Sequence, residues 1–192
     1  RPQARNAMTW GMYRALADAC DRVDADEGTR VFLLRGARNA FVAGTDIRQF
    51  TEFTSGEDGV AYEHRMEDVL DRLERVRVPT IAQIEGVAAG GGCIIACACD
   101  LRVCTPAATF GVPIARTLGN CLSTANHSRL AELVGAARTK DLMFTGRLMD
   151  ATEAAAAGLV SRLVSAEDID REVRELAATI ASMAPLTLRT TK

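Results

Sequence analysis

The chain has 192 residues, of which 48% are hydrophobic and 25% charged, with a net charge of −2 and a pI near 5.8. This length fits one domain with a substantial core. The balanced charge gives no excess of basic residues for binding nucleic acid. Aromatic residues make up 5% of the chain, which argues against base-stacking platforms, and the longest apolar run is too short and glycine-rich for a membrane span. No signal peptide is visible, but the chain starts at Arg1 rather than methionine, so we expect its true N-terminus to be missing.

Helical and strand patterns alternate along the chain. Residues 9–23 carry apolar side chains at helical spacing, with Thr9 as the predicted N-cap, and the run at 30–36 is a predicted buried strand. The stretch 51–59 is polar and contains glycines and acids, which predicts a mobile loop. The later elements are a helix ending at Pro79, strands at 80–86, 100–105 and 159–164, and helices at 93–99, 129–146, 150–158 and 166–183. Such alternation favours a layered α/β fold with parallel strands and crossover helices.

Six cysteines invite a metal-site hypothesis, because four of them fall in one apolar stretch. Their positions are Cys20, Cys93, Cys97, Cys99, Cys104 and Cys121. The clustered four have the spacing C-x3-C-x-C-x4-C, which lacks the paired C-x2-C motifs of zinc sites, and no histidine lies near them. We therefore expect no metal, and we interpret these residues as buried, reduced thiols of a cytoplasmic protein.

Two glycine-bearing segments, at 36–47 and 86–101, each join a predicted strand to a predicted helix. A helix N-terminus presents unpaired N–H groups and the positive end of a dipole, which suits an oxyanion. Glycines let a carbonyl oxygen reach those N–H groups without meeting a Cβ, and two converging segments would form a two-donor oxyanion hole. Close packing between helix and strand is the structural alternative, which we expect to explain one glycine of the triplet at 90–92 rather than three.

Five segments carry a resemblance to a known family. They are "RPQARNAMT", "GARNAFVAGTDI", "PTIAQIEGVAAGGGC", "CDLRVCTPAATFGVP" and "DATEAAAAGLVSRLV", in this order. In order and spacing the chain resembles the crotonase (enoyl-CoA hydratase/isomerase) superfamily over essentially its whole length. The resemblance implies a spiral of repeated ββα units, as a single domain over 1–192 with a helical C-terminal subdomain from about residue 120. Against that pattern, the first strand and the last helices are expected to lie outside this chain.

The resemblance also implies a site for an acyl-CoA thioester. Its carbonyl oxygen would sit between the backbone N–H groups of Thr45 and Gly91, which would stabilise an enolate. The adenine of CoA would lie near the carbonyl of Ala43, and Arg5 could reach a phosphate or remain a solvated surface residue. Asp46 is expected to cap and orient the oxyanion turn beside the substrate. No cofactor is expected, since coenzyme A enters as part of the substrate.

The pattern departs from the family at two positions where hydratases carry glutamates. These positions hold Ile94 and Ile114 here, and isoleucine can neither accept a proton nor orient water. If the register holds, both isoleucines line the acyl pocket and ordinary hydration is excluded.

Other polar residues are candidates for the missing chemistry. Arg116 could bind a carboxylate on the acyl group or face solvent, and Asn120 could contact substrate or only cap a helix. Glu67 could reach the acyl group, although it belongs to an acidic helix face with Glu63, which is ordinarily solvated.

These observations favour an enzyme of the lyase or isomerase type that acts on an acyl-CoA through an enolate and differs from a classical hydratase. A non-catalytic acyl-CoA-binding protein of the same fold is the alternative, and a structural subunit whose partners carry the activity is a third. Polar groups near the acyl chain would favour an enzyme, whereas a wholly apolar pocket would favour binding alone. A homotrimer or hexamer is expected from the resemblance and from the apolar face of residues 166–183, with no nucleic-acid or membrane partner.

Overall fold

The computed structural model describes residues 1–117 and 119–192, which form two four-stranded sheets surrounded by helices. The strands are β1 (Phe32–Arg35), β2 (Ala40–Val42), β3 (Thr80–Ile84), β4 (Val87–Ala89), β5 (Leu101–Cys104), β6 (Thr109–Gly111), β7 (Met149–Asp150) and β8 (Arg162–Leu163). The helices are α1 (Trp10–Ala25), α2 (Gly56–Arg75), α3 (Gly91–Ala98), α4 (Ile114–Thr117), α5 (Thr124–Val134), α6 (Ala136–Thr145), α7 (Ala151–Ala156), α8 (Ile169–Ala181) and α9 (Pro185–Thr191).

From β1 to β6, the two sheets are built by a repeat in which consecutive strands enter different sheets. One sheet has the order β1-β3-β5-β8 and is parallel throughout. The other has the order β2-β4-β6-β7, in which only the β6–β7 pair is antiparallel. Two strands followed by a helix therefore recur as β1-β2-α2 and β3-β4-α3. The predicted α/β spiral of ββα units is confirmed, with most of the later elements helical.

Local capping explains where the first long helices begin. The Thr9 side chain accepts a hydrogen bond from the amide of Met12 at 3.3 Å, as predicted for the start of α1. The predicted loop at 51–59 is wrong in part, because a 3-10 helix occupies Ile47–Glu52 and α2 already begins at Gly56. A reciprocal capping box between Ser55 and Asp58 starts α2, and this outweighs the poor helix propensity of the glycines.

The clustered cysteines lie inside the core. Cys93, Cys97, Cys99 and Cys104 are buried, and all six cysteines of the chain are free thiols. Burial raises the pKa of Cys99 to about 12 and that of Cys104 to about 11, so both remain neutral and pack as small apolar side chains. Within the described ranges, no set of three metal-ligating side chains converges, and no helix is long and apolar enough to cross a membrane.

The amphipathic helix near the C-terminus packs within its own chain. It begins at Ile169 rather than at 166, and its apolar residues Ile169, Val173 and Leu176 are buried in a cluster with Ile81 and Val103. The face that suggested a contact between subunits therefore covers the chain's own β1-β3-β5-β8 sheet. It cannot serve as evidence for a trimer, and the oligomeric state stays a prediction.

A buried arginine fastens the C-terminal end of α3. Arg102 is 5% exposed and donates to the backbone carbonyls of Ala96 and Leu159, at 3.1 and 2.5 Å, and also to that of Cys99. Carbonyls at a helix C-terminus lack helical partners and carry partial negative charge, which a guanidinium satisfies. One end of α3 is therefore fixed by a side chain from β5.

Replacing Arg102 with methionine should destabilise the protein by about 2–4 kcal/mol, because several buried carbonyls would lose their donor at once. Urea unfolding followed by circular dichroism measures the effect. Arg171→Met is the matched control, since its pairs with Asp168 and Glu175 are exposed and its midpoint should stay close to that of the wild type. Equal midpoints for the two variants would contradict this role of Arg102.

Candidate functional site

The loop after β2 holds Thr45 in an extended bridge to the start of the chain. The amide of Met8 donates to the carbonyl of Gly44 at 2.8 Å, and the amide of Asp46 donates to the carbonyl of Met8 at 2.9 Å. This pairing uses the groups on either side of Thr45. Among the described residues, the Thr45 N–H itself meets no protein acceptor.

Asp46 is occupied in holding this loop. Its carboxylate accepts from the guanidinium groups of Arg48 and Arg1, at 2.7 and 2.8 Å, and from the amide of Arg48 at 3.2 Å. These bonds, Arg48 first, hold the pKa of Asp46 well below its usual range. Asp46 thus caps the 3-10 helix at Ile47–Glu52, and its paired carboxylate is a poor proton acceptor.

The local structure disfavours a residue larger than glycine at each of the three positions 90–92. Gly90 has a φ of +53°, and a Cβ on Gly92 would lie 2.0 Å from the carbonyl oxygen of Val42. A Cβ on Gly91 would lie 2.6 Å from the hydroxyl oxygen of Tyr13 and 3.2 Å from Oγ1 of Thr45. Close packing between helix and strand therefore explains one glycine of the three, Gly92, as expected, whereas Gly91 faces side chains and Gly90 is required by its positive φ. The run by itself does not require a ligand.

The backbone N–H of Gly91 is nevertheless a free hydrogen-bond donor. Gly91 is the first residue of α3, so its N–H has no helical acceptor, and no other acceptor is found within the described part of the chain. Because a Cβ on Gly91 would lie 3.2 Å from Oγ1 of Thr45, the first turn of α3 packs against the loop that carries the other unpaired amide. Helix α3 adds the positive end of its dipole there. The arrangement suits a small oxygen anion or a polarised carbonyl.

Three hydroxyl groups form a chain beside these amides. Oγ1 of Thr45 lies 2.7 Å from the hydroxyl of Tyr13 and 3.0 Å from that of Tyr62. Aromatic neighbours fix Tyr62, with ring centroids 4.9 Å from Phe50 and 5.5 Å from Trp10. Burial raises the pKa of Tyr62 to about 12 and that of Tyr13 further, so both hydroxyls keep their protons.

Tyr62 also faces a cavity of about 580 Å³ between α2 and the segment before α5. Its lining residues are Phe50, Phe53, Gly56, Gly59, Val60, Tyr62, Glu63, His64, Glu67, Gly119, Asn120, Cys121, Leu122 and Ser123. The structure thus brings the predicted Glu67 and Asn120 to one cavity, which is connected to Thr45 through Tyr62. Within the described ranges, Oδ1 of Asn120 is a buried polar atom that lacks a hydrogen-bond partner.

Glu63 is the cavity residue that the sequence pattern did not single out. It is half-buried, and burial raises its pKa, which the nearby Glu67 raises further, while the amide of Ser123 and the charge of His127 oppose the shift. Periodicity placed Glu63 on a polar helix face, but it could not tell solvent from a cavity. A half-buried carboxyl with a raised pKa is suited to proton transfer.

The remaining predicted residues lie elsewhere. Ile94 is buried inside α3 and Ile114 packs on the core at the start of α4, so neither belongs to the cavity lining as the described residues define it. Arg116 is exposed and passes beside Gly146, also away from the cavity. Ala43 and the exposed Arg5 are neighbours, since the amide of Ala43 donates to the carbonyl of Arg5 at 3.1 Å.

Comparison with known proteins finds relatives whose names contain the term enoyl-CoA hydratase. The Mycobacterium tuberculosis protein named "Probable enoyl-CoA hydratase echA8" is 36% identical over 192 residues, which are 100% of this chain and 73% of that protein. The human "Enoyl-CoA hydratase domain-containing protein 2, mitochondrial" is 35% identical, over 98% of this chain and 66% of its own length.

Solved structures agree in fold. A crystal structure of an enoyl-CoA hydratase/carnithine racemase from Magnetospirillum magneticum matches with a TM-score of 0.95 and 37% identity, over 100% of this chain and 72% of that one. The enoyl-CoA hydratase from Bacillus anthracis matches with a TM-score of 0.91 and 29% identity, over 98% and 73% of the two chains. The family model described as enoyl-CoA hydratase/isomerase matches residues 1–192, so this chain belongs to the enoyl-CoA hydratase/isomerase family.

Proposed function

We propose that the protein is an acyl-CoA-processing enzyme that stabilises a thioester enolate between the backbone amides of Thr45 and Gly91. The observation that carries the proposal is a pair of unpaired N–H groups, that of Gly91 at the N-terminus of α3 and that of Thr45 in the loop against which this first turn packs. Negative charge develops on a thioester oxygen when the neighbouring carbon loses a proton, and fixed amides stabilise that charge more than they stabilise the neutral carbonyl. Losing one such donor typically costs about 2.7–4 kcal/mol of transition-state stabilisation.

The cavity supplies carboxylates for the proton transfer that an enolate requires. Glu63 and Glu67 both line it, next to the apolar side chains of Phe50, Phe53 and Leu122. One carboxylate removes the proton from the carbon next to the thioester, and the electron pair of that C–H bond moves toward the thioester oxygen. We assign this role to Glu63, because its raised pKa makes it the stronger base, with Glu67 beside it.

The proposed chemistry differs from hydration of an enoyl-CoA. Ile94 and Ile114 stand where the family's hydratase pattern has its two glutamates, so those positions cannot hold or activate water, and the acids used in this proposal lie elsewhere, on α2. A proton shift, as in an isomerase, or a lyase reaction through the same enolate needs no delivery of hydroxide.

A non-catalytic acyl-CoA-binding protein is the alternative. Such a protein needs the two amides but gains nothing from acids in the acyl cavity, which cost free energy when buried. The cavity contains Glu63, Glu67, Asn120 and His64, which favours an enzyme. In either case CoA would extend past Ala43 toward Arg5, and a trimer or hexamer remains our expectation for the intact protein.

Binding and proton exchange test the proposal together. We expect a saturated acyl-CoA such as butyryl-CoA to bind in isothermal titration calorimetry, and its α-hydrogens to exchange with deuterium in D₂O, because an enolate forms reversibly. Crotonyl-CoA should be hydrated far more slowly than the 1–10³ s⁻¹ that is typical of enzymes. Binding without exchange would support the non-catalytic alternative, and rapid hydration would contradict our interpretation of Ile94 and Ile114.

Glu63→Gln should abolish most of the deuterium exchange while acyl-CoA affinity changes little, because the amide keeps the shape of the side chain but accepts no proton.

In the wild type, exchange should fall as the pH drops through the raised pKa of Glu63, since only the ionised form is a base. Glu67 raises that pKa, whereas His127 and the Ser123 amide lower it. Glu132→Gln, on the α5 helix outside the cavity lining, is the control. Full exchange in Glu63→Gln would assign the base elsewhere.

A further inference from the structure

The hydroxyl chain of Tyr13, Thr45 and Tyr62 has one more proton than its internal contacts can use. Three hydroxyls carry three O–H donors, and the two contacts at 2.7 and 3.0 Å consume two of them. Whichever way the protons are arranged, one donor is left. Within the described part of the chain, no further side-chain or backbone acceptor lies against any of the three hydroxyls.

The spare O–H donor is best placed on Tyr62, the member of the three hydroxyls that meets the cavity. Tyr13 is 4% exposed and is not among the residues that line the cavity, so a proton on its hydroxyl that is not donated to Thr45 would be buried without a partner. Tyr62 instead lines the cavity. The favoured arrangement therefore has Tyr13 donating to Thr45, Thr45 donating to Tyr62, and the Tyr62 proton directed into the cavity.

We propose that the Tyr62 hydroxyl is a third hydrogen-bond donor to the thioester oxygen, a catalytic residue that Tyr13 and Thr45 position through their own hydroxyls. This inference rests on the proposed function, because it needs an acyl-CoA held by the amides of Thr45 and Gly91. The hydrogen bond to Oγ1 of Thr45 keeps the Tyr62 hydroxyl beside the residue that supplies one of those two amides.

The raised pKa values of the two tyrosines suit a hydrogen-bond donor that keeps its proton. Burial raises the pKa values of both tyrosines, so each stays neutral while the oxygen in front of it gains charge. Donors in series also polarise one another, and the packing of Phe50 and Trp10 on Tyr62 removes the need to reorganise during the reaction.

The test compares Tyr62→Phe and Thr45→Val with the wild type, using butyryl-CoA labelled with ¹³C at the thioester carbonyl. Both variants keep the backbone amides. Tyr62→Phe should slow α-deuterium exchange roughly 10- to 100-fold with little change in affinity, because the lost bond matters most in the transition state. Thr45→Val should also slow the exchange, because Tyr62 then loses the partner that orients it.

Infrared spectra should show the bound carbonyl stretch at higher frequency in Tyr62→Phe, since one hydrogen bond to the oxygen is gone.

Thr139→Val is the matched control, because it removes a buried hydroxyl on α6, bonded to the carbonyl of Gly135 at 3.0 Å, that does not line the cavity. It should leave both the carbonyl stretch and the exchange rate unchanged. An unchanged carbonyl stretch in Tyr62→Phe would overturn the inference, whether or not exchange slows, since the hydroxyl then acts only through packing. Exchange loss of equal size in Thr139→Val would overturn it as well. Failure of the wild-type protein to bind butyryl-CoA would instead remove the proposed function, and this inference with it.

Discussion

The contact between helix α3 and strand β2 is the constraint on which the site depends. The helix approaches the strand so closely that a side chain on Gly92 would collide with the carbonyl of Val42. This approach brings the first turn of α3 against the loop after β2, where Thr45 lies. Any residue larger than glycine at this point would push the first turn of α3 away from the loop that carries Thr45. The packing requirement at Gly92 therefore also governs where the two donors of the proposed oxyanion hole lie.

The two ends of α3 divide structural and chemical roles between them. The C-terminal carbonyls are satisfied by the buried guanidinium of Arg102. The N-terminal amides are left open beside a chain of hydroxyls, with acidic side chains in the adjoining cavity. A helix anchored at one end presents fixed dipoles at the other, and fixed dipoles cost no reorganisation when charge develops. The stability of the core and the proposed enolate chemistry thus draw on the same short, apolar helix.

Much of this architecture could be predicted from the sequence, for identifiable reasons. Apolar periodicity located α1, α2, α8 and the central strands, and Thr9 was correctly assigned as a cap, because these signals are local. The single helix predicted at 129–146 is wrong, since Gly135 separates α5 from α6 there. Strands of three residues such as β4 and β6 were missed, since so few residues show no pattern of their own. The start of α2 was misjudged because two glycines masked the capping box between Ser55 and Asp58.

The candidate site was predicted less completely, because its chemistry arises from tertiary contacts. The pairing of Thr45 with Gly91 as oxyanion donors came from the family resemblance and stays a prediction, although a Cβ on Gly91 would lie 3.2 Å from Oγ1 of Thr45. The spacing of Tyr13 and Tyr62 gives no indication that they share Thr45 as a partner. Glu63 looked like a solvated surface acid, because helical periodicity identifies a polar face without revealing what that face meets.

The central claim is that the amides of Thr45 and Gly91 both bind the thioester oxygen. Nuclear magnetic resonance of ¹⁵N-labelled protein tests it directly, by comparing amide proton shifts with butyryl-CoA and with CoA that carries no acyl group. The account predicts that butyryl-CoA moves the amide protons of Thr45 and Gly91 downfield, as expected for new hydrogen bonds, whereas CoA alone does not. If butyryl-CoA shifts other resonances while either of these two amides stays in place, the two-donor site is contradicted.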